Sequence, residues 1–194
     1  VDARLDPGKA LPTDTSLSDA KSVIVLAINY YHPQEKLSSN CGRIARYAYG
    51  RDYHKIIKKK LKQLEEYIRQ TSLKYLPHPA IRTKSYVDTG PLLERALAEE
   101  GGLGFIGKNS CLITREFGSW VFLAEIITNL NLVSANQNSV AKQNFDSCGQ
   151  CQRCRLACPT GAIVSPGVID ARKCISYLTI ENKGKIPRKF AEKI

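Results

Sequence analysis

Four cysteines within eleven residues constrain this chain more than any other feature of its sequence. They lie at Cys148, Cys151, Cys154 and Cys158, and a proline follows the last one. The spacing C-x2-C-x2-C-x3-C-P directs three thiolates to one [4Fe–4S] cube and turns the fourth toward a second cube. Zinc is the alternative, but structural zinc sites usually pair one short cysteine motif with a distant second pair. The run therefore predicts iron–sulfur clusters.

Two cubes need about eight thiolates, so further ligands are required outside the run. Cys174 is a candidate for one of them, and we expect at least three more beyond Ile194. Cys41 and Cys111 stand alone in the sequence, and we predict that both are buried structural thiols. The clustering of the cysteines indicates metal binding in a reducing compartment rather than a disulfide framework.

Charge and hydropathy narrow the class of protein further. The 194 residues are 43% hydrophobic, which is enough for a folded core. No apolar run reaches the ~18–20 residues of a membrane span, and the start shows no signal peptide. We therefore expect a cytoplasmic protein. An excess of 29 basic over 18 acidic residues gives a net charge of +11, which favours a polyanionic partner such as nucleic acid over a merely basic soluble protein.

Apolar patterning predicts ordered segments on both sides of a polar linker at 129–147. The segment at 52–70 is predicted to be a helix, and its lysines are interpreted as a solvated face. The predicted elements are a buried central strand at 22–29, a helix at 52–70, a strand at 81–87, a helix starting at Pro91 and closed by the glycines of 101–104, a loop and strand at 105–113, and a strand or buried helix at 120–127. The chain contains no methionine, so we expect it to lack both ends of a longer protein.

The order of motifs resembles the epoxyqueuosine reductase family, whose members use cobalamin and iron–sulfur clusters in tRNA modification. The matching stretches are Arg51-Asp-Tyr-His54, Val87-Asp88 and the loop Gly104-Phe-Ile-Gly-Lys-Asn109, followed by the cysteine run and the segment at 170–181. The resemblance implies an α+β chain. A nitroreductase-like α/β cobalamin-binding domain, expected at 1–135, would precede a bacterial ferredoxin-type domain with two [4Fe–4S] clusters, expected at 136–194 and incomplete here.

The same resemblance implies roles for individual residues. Asp88 corresponds to the family's proton donor, and Ile106, Gly107, Lys108 and Asn109 form the loop that lies against the cobalamin. Cys174 joins Cys158 as a ligand of the second cluster. The implied reaction reduces epoxyqueuosine to queuosine at the wobble position of tRNA. The implied partners are the tRNA anticodon loop and a reduced ferredoxin- or flavodoxin-type electron donor, and we expect a monomer without membrane attachment.

The chemistry agrees with those roles. Removing an epoxide oxygen takes two electrons, which side chains do not supply, and protons, which a carboxylic acid can deliver if burial keeps it protonated. Asp88 could instead be a helix-entry residue, and Lys108 and Asn109 could be turn residues. His54 is a candidate for either of two roles, a hydrogen bond within the core or a contact with the edge of a cofactor. The tyrosines and arginines beside it are candidates for packing, base stacking or phosphate contact: Tyr47, Tyr49, Tyr53, Arg43, Arg46 and Arg51.

Three other functions fit parts of the pattern. A dehalogenase-like cobalamin enzyme would reduce a small molecule, and a ferredoxin-type subunit would only carry electrons. A zinc-ribbon protein would bind RNA without redox activity. About 147 residues precede the first cluster cysteine, which is too long for a small ferredoxin.

Overall fold

The computed structural model describes residues 17–33, 44–75, 80–133 and 148–194. Strands and helices alternate in the first three ranges, and short elements follow the cysteines. In chain order the elements are β1 (Ser22–Asn29), α1 (Tyr53–Tyr75), β2 (Thr83–Tyr86), α2 (Glu94–Glu100), β3 (Phe105–Ile106), β4 (Leu112–Ile113), β5 (Val121–Thr128), α3 (Arg153–Ala157), β6 (Ile163–Ser165), β7 (Val168–Ile169) and α4 (Arg188–Ala191).

The main sheet has the strand order β1-β5-β2. β5 pairs antiparallel with both neighbours, so β1 and β2 run in the same direction and their carboxyl ends lie at the same end of the sheet. The prediction of a strand at Ser22–Asn29 is confirmed, but its predicted central position is wrong within the described sheet. β5 takes the centre, since its last five residues are buried, whereas no residue of β1 is fully buried.

Helices cover the two faces of this sheet. On one face Ile57 and Leu61 of α1, each 2% exposed, pack on Val87, Ala124 and Ile126. α1 continues five residues beyond the predicted end at 70. On the other face Leu92, just before α2, packs with Leu17 and Ile127. The sheet is therefore the centre of an α/β layer structure.

The second helix and the segment after it depart from the predictions in detail. α2 begins at Glu94 rather than at Pro91 and ends at Glu100, with Gly101 as its C-cap, and the left-handed Gly102, with φ of +78°, carries the chain onward. The predicted loop and strand at 105–113 form a short hairpin, because β3 pairs antiparallel with β4. This hairpin leads toward the cysteine module.

The cysteine module contains α3 and a second hairpin, β6–β7. Beyond β7 the chain forms a 3-10 helix at Ala171–Lys173, and a π-helical turn follows at Tyr177–Glu181. Most of the predicted linker, and with it the boundary at 135, lies outside the described residues. None of the helices in the described ranges combines the length and apolar character needed to cross a bilayer.

Candidate functional site

Asp88 occupies a strained turn directly after β2. Its φ is +60°, and the Thr89 N–H donates to the Val87 carbonyl oxygen at 2.6 Å across it, which makes a γ-turn. A non-glycine residue in such a conformation costs about 1–3 kcal/mol and is often found at a functional site. The Asp88 side chain is 62% exposed. The burial that we expected around this carboxyl is therefore not supplied by the described residues.

Two aromatic side chains from the start of α1 hold the Asp88 carboxyl. The Tyr53 hydroxyl donates to Asp88 Oδ2 at 2.8 Å, and His54 Nε2 lies 3.5 Å from the same oxygen. His54 Nδ1 in turn lies 3.0 Å from Asp52 Oδ1. Burial first, and then the hydrogen bond to Asp88, raise the pKa of Tyr53 above its usual range, so the phenol keeps its proton and donates.

An aromatic cluster extends from Tyr53, which holds this carboxyl. Tyr53 stacks on Phe122 with ring centroids 4.0 Å apart, and Tyr30 contacts the same ring at 4.5 Å. The Arg46 guanidinium lies 4.8 Å from the centre of the Trp120 ring, which is 40% exposed. Rings with exposed faces beside a cation are suited to a flat, electron-rich ligand.

A cavity of about 340 Å³ opens beside the start of α1. The residues that line it belong to the Arg-Asp-Tyr-His motif at 51–54 and to the turn before it. They contribute aromatic rings, charged groups and a carboxylate. The lining residues are Tyr47, Ala48, Gly50, Arg51, Asp52, Tyr53 and His54. The cavity thus adjoins the side chains that hold Asp88.

A half-buried glutamate, Glu94, and a fully buried one, Glu125, lie next to the Asp88 turn. Glu94 Oε1 accepts a hydrogen bond from the Asp88 backbone N–H at 2.8 Å. Glu125 on β5 is fully buried, and neither of its oxygens has a partner at ordinary hydrogen-bonding distance. Burial, followed by the charge of the nearby Glu94 carboxyl, raises the pKa of Glu125 to about 8. The pair therefore holds a proton at neutral pH next to the backbone of Asp88.

The predicted cofactor loop forms the tip of the β3–β4 hairpin and docks on the cysteine module. The Lys108 backbone N–H donates to Cys148 Sγ at 3.4 Å, and its ammonium donates to the carbonyl oxygens of Gly149 at 2.7 Å and Cys151 at 2.9 Å. The Lys108 carbonyl accepts from the Gly167 N–H at 3.0 Å. Lys108 therefore ties the hairpin to both the cysteine run and the β6–β7 hairpin.

The other residues of this loop have different surroundings. Gly107 is buried, and a β-carbon there would approach Ile113 Cδ1 to 2.4 Å, so a larger residue would displace the Ile113 side chain. Asn109 Oδ1 accepts the Cys111 N–H at 3.2 Å, as a turn residue does. The Ile106 side chain is 38% exposed and available for contact. The prediction that the loop contacts cobalamin stays a prediction.

The cysteine module provides thiolates prepared to bind metal. Burial raises the pKa of Cys158, but the Thr160 hydroxyl and the N–H groups of Ala162, Ile163 and Thr160 outweigh it and lower the pKa to about 7. The Ala162 N–H lies 3.3 Å from Cys158 Sγ. A thiolate is the form that ligates iron, and N–H donors to sulfur are common around such clusters. The donor chemistry therefore fits a [4Fe–4S] cube.

The predicted cluster ligands lie on one short module, at Cys148 and Cys151 in a turn, Cys154 in α3, Cys158 at its end, and Cys174 after the 3-10 helix. Within the described ranges, no three His, Cys, Asp or Glu side chains are arranged to hold a single ion. A cube takes its thiolates at separate corners and does not need such convergence.

Cys111 is exposed in the structure, so its predicted burial is wrong. Although the residue as a whole is exposed, packing around its sulfur raises the pKa of Cys111; Arg95 lowers it, and the thiols of Cys154 and Cys174 raise it further. Cys111 therefore lies near the cysteine module. Cys41 lies outside the described residues.

The contacts of Tyr53, Glu94 and Glu125 in the site are not predicted from the sequence. The motif predicts Tyr53 only as a packing or stacking ring, and nothing in its sequence neighbours reveals that its hydroxyl reaches a residue 35 positions later. Glu125 did leave a signal, since it is the one charged residue in the apolar run at 120–127. A charge in a buried strand indicates a polar function or a partner.

Two family matches cover most of the chain. Residues 4–89 match the family described as "Epoxyqueuosine reductase QueG, DUF1730", and residues 147–194 match the "4Fe-4S double cluster binding domain". An epoxyqueuosine reductase from Gloeobacter violaceus is 48% identical over 177 residues, which are 91% of this chain and 52% of the relative. The enzyme from Synechocystis sp. is 47% identical over 171 residues, 88% of this chain and 55% of that one.

Solved structures agree with these matches. An epoxyqueuosine reductase with a tRNA-Tyr epoxyqueuosine-modified tRNA stem loop superposes with a TM-score of 0.75 at 38% identity, covering 90% of this chain and 44% of that one. The Bacillus subtilis enzyme, solved with the loop of a catalytic aspartate swung out of the active site, gives 0.73 at 37% identity with the same coverage. The chain spans about half the length of the curated relatives it matches. It belongs to the epoxyqueuosine reductase family.

Proposed function

We propose that this chain carries the catalytic aspartate and the first cluster ligands of an enzyme that reduces epoxyqueuosine in tRNA to queuosine. The observation that carries the proposal is the strained Asp88 turn, whose carboxyl is held by Tyr53 and His54 at an open edge of the sheet. The comparison structure with a catalytic aspartate on a mobile loop supports the assignment of this role to a loop aspartate.

The reaction consumes two electrons and two protons. The two carbon–oxygen bonds of the epoxide break, a carbon–carbon double bond forms, and the oxygen leaves as water. In this proposal Asp88 delivers a proton to the departing oxygen, and Tyr53 and His54 fix the carboxyl in place. The carboxyl is exposed in the described chain, so bound nucleoside and cofactor would exclude water from it.

Cobalamin is the cofactor that we assign to this site, on a nitroreductase-like domain at 1–135. When bound, it supplies a strongly reducing cobalt centre that takes single electrons from the clusters. The described residues fit a large apolar ring, since Leu93 before α2, at 52% exposure, and Ile106 on β3, at 38%, present apolar side chains to solvent. Ile106, Gly107, Lys108 and Asn109 would line it.

Two [4Fe–4S] clusters are assigned to the domain at 136–194 and to the part of the protein that follows. Cys148, Cys151 and Cys154 would hold the first, and Cys158 and Cys174 the second. The hydrogen bonds of Lys108 place the cofactor loop directly on the cysteine run, which supports a short route for electrons between them.

The remaining partners follow from the same assignment. The substrate is the tRNA anticodon loop, and the electron donor is a reduced ferredoxin- or flavodoxin-type protein. We propose that the enzyme is a cytoplasmic monomer.

The test uses the full-length protein, reconstituted without oxygen with iron, sulfide and cobalamin. Nucleoside analysis of tRNA bearing epoxyqueuosine measures conversion to queuosine. Asp88→Asn should lower turnover by at least about 10²-fold, the usual contribution of a general acid, while iron and cobalamin stay bound. Asp19→Asn, at a half-buried aspartate that pairs with Arg82 away from the Asp88 turn, is the control. Normal turnover by the Asp88 variant would overturn its role.

A further inference from the structure

We propose that the outward face of α1 binds the phosphate backbone of the tRNA substrate. Lys55, Lys58, Lys59 and Lys62 are its contacts, and we call this set the lysine stripe. The proposal rests on the proposed function, because it names a surface for the same substrate. It replaces the interpretation of these lysines as a merely solvated face.

The lysine stripe forms a single surface that starts at the candidate site. At about 100° per residue, its four members cluster on the side of α1 opposite the buried Ile57 and Leu61. All four are exposed. The stripe begins one residue after His54 and extends about 10 Å along the helix, since each residue rises about 1.5 Å. A strand that places its base beside Asp88 would have its neighbouring phosphates within reach.

The stripe is electrostatically unfavourable for the isolated helix. Lysines three and four positions apart repel one another by about 0.2–0.5 kcal/mol per pair, and cations near a helix N-terminus oppose its dipole. The first turn of α1 contains no acidic residue. Across the described ranges the stripe lysines form no salt bridge: of the two acids nearest in sequence, Asp52 pairs with His54, and Glu65 forms no ion pair with them. The stripe is thus not explained by stability, and local rules of this kind are broken mainly at functional sites.

The surroundings of the stripe favour a polyanion. Lys59 and Lys62 border an open groove of about 460 Å³ with Gln63, Tyr67 and Gln70, which offer hydrogen bonds to phosphate and ribose. Glu66 also lines this groove, but Arg69 and Gln70 both bind its carboxylate. A membrane-surface helix would present its apolar face outward, whereas that of α1 is buried against the sheet.

The same charge continues into the candidate site. Between Arg46 and Lys62, seven residues are basic and only Asp52 is acidic. This short stretch therefore holds more than half of the net charge of +11. Arg51 lines the cavity next to Asp88 and is exposed. A continuous basic path from the cavity along α1 is the electrostatic footprint of a bound nucleic acid strand.

The experiment compares two double variants of the full-length protein with equal changes in charge. Lys58→Gln/Lys62→Gln removes two stripe lysines, and Lys60→Gln/Lys74→Gln removes two exposed lysines of the same helix that point away from the stripe. Binding of a tRNA anticodon stem-loop is measured by fluorescence anisotropy over a range of salt concentrations. Glutamine keeps helix propensity, so neither variant should unfold more easily.

The stripe variant should bind more weakly, with the slope of log K against log salt reduced by about 1 for each lysine. The control should keep the wild-type slope. Equal slopes in all three proteins, or equal losses in both variants, would overturn the proposal, as would tight binding of wild type to anionic vesicles without binding to tRNA. Turnover of the wild-type enzyme is measured in parallel. An enzyme that binds through the stripe but does not reduce epoxyqueuosine contradicts only the proposed function.

Discussion

At the scale of single residues, the Tyr53 hydroxyl is the contact that fixes the Asp88 carboxyl. Tyr53→Phe keeps the ring stacked on Phe122 and removes only the 2.8 Å hydrogen bond. A hydrogen bond to a charged group contributes about 1.5–3 kcal/mol, so we expect turnover to fall roughly 10- to 100-fold. Single-turnover assays on the reconstituted full-length enzyme measure this change.

The control for this prediction is Tyr177→Phe, at a partly exposed tyrosine of the cysteine module. It should leave turnover unchanged. A Tyr53→Phe enzyme as fast as wild type would mean that His54 alone holds Asp88.

Glu125 makes stability depend on pH. Its pKa is raised from the usual 4.5 to about 8 in the folded protein. Between these values the unfolded chain loses a proton that the folded chain keeps, so the free energy of unfolding falls as pH rises. The slope reaches up to about 1.4 kcal/mol per pH unit. The stabilisation is fully present below pH 4.5 and lost by about pH 8.

Glu125→Gln should remove this part of the pH dependence, because the amide does not titrate. Urea unfolding at several pH values between 5 and 8 compares it with wild type. Glu116→Gln, at an exposed glutamate, should follow the wild-type curve. Parallel curves for Glu125→Gln and wild type would show that Glu125 titrates normally.

At the scale of elements, the β3–β4 hairpin depends on Gly104. A β-carbon there would lie 2.3 Å from the Ile113 carbonyl oxygen. We expect Gly104→Ala to destabilise the protein by about 1–3 kcal/mol and to lower cluster content, since the hairpin carries Lys108 to the cysteine run. Denaturant unfolding and iron analysis measure both effects.

Gly184→Ala is the matched control, because the nearest atom to an added β-carbon lies at 3.6 Å. It should be tolerated. Equal stability of the two variants would show that the hairpin yields without strain.

The periodic elements could be predicted from the sequence, while the site contacts could not. The apolar spacing of Ile57 and Leu61 predicts α1, because burial of one helix face imposes a period, and the continuous apolar run of β-branched residues predicts β1. The position of β1 at the edge depends on pairing with β5, nearly a hundred residues later. Cys111 lies in a hairpin whose two strands have two residues each. Strands this short leave no periodic pattern in the sequence, so the exposure of Cys111 could not be predicted.

The candidate site was predictable only where a motif marked it. Asp88 and the cysteine run stand out by their neighbours in sequence. The bonds from Tyr53 to Asp88 and from Lys108 to Gly149 and Cys151 join segments that no local rule connects. Glu94 looks like an ordinary residue of a first helical turn until its carboxylate is seen to accept the Asp88 N–H.

At the scale of the whole molecule, iron and sulfide content separates the assigned double-cluster domain from a zinc ribbon. Two cubes give about eight irons and eight sulfides per full-length chain. Cys154→Ser should remove about half of both by opening the first cube, whereas Cys111→Ser should leave them unchanged. Iron and acid-labile sulfide analysis of protein made without oxygen tests this. Zinc without iron would contradict the cluster assignment.

The basic face of α1 also affects how the protein behaves during purification. Counterion release makes any long polyanion an adventitious ligand at low ionic strength. Cell extracts are rich in ribosomal and messenger RNA, so material purified in dilute buffer should elute with excess absorbance at the wavelengths of nucleobases. A high-salt wash would strip it, and affinities measured before that step would describe competition rather than recognition.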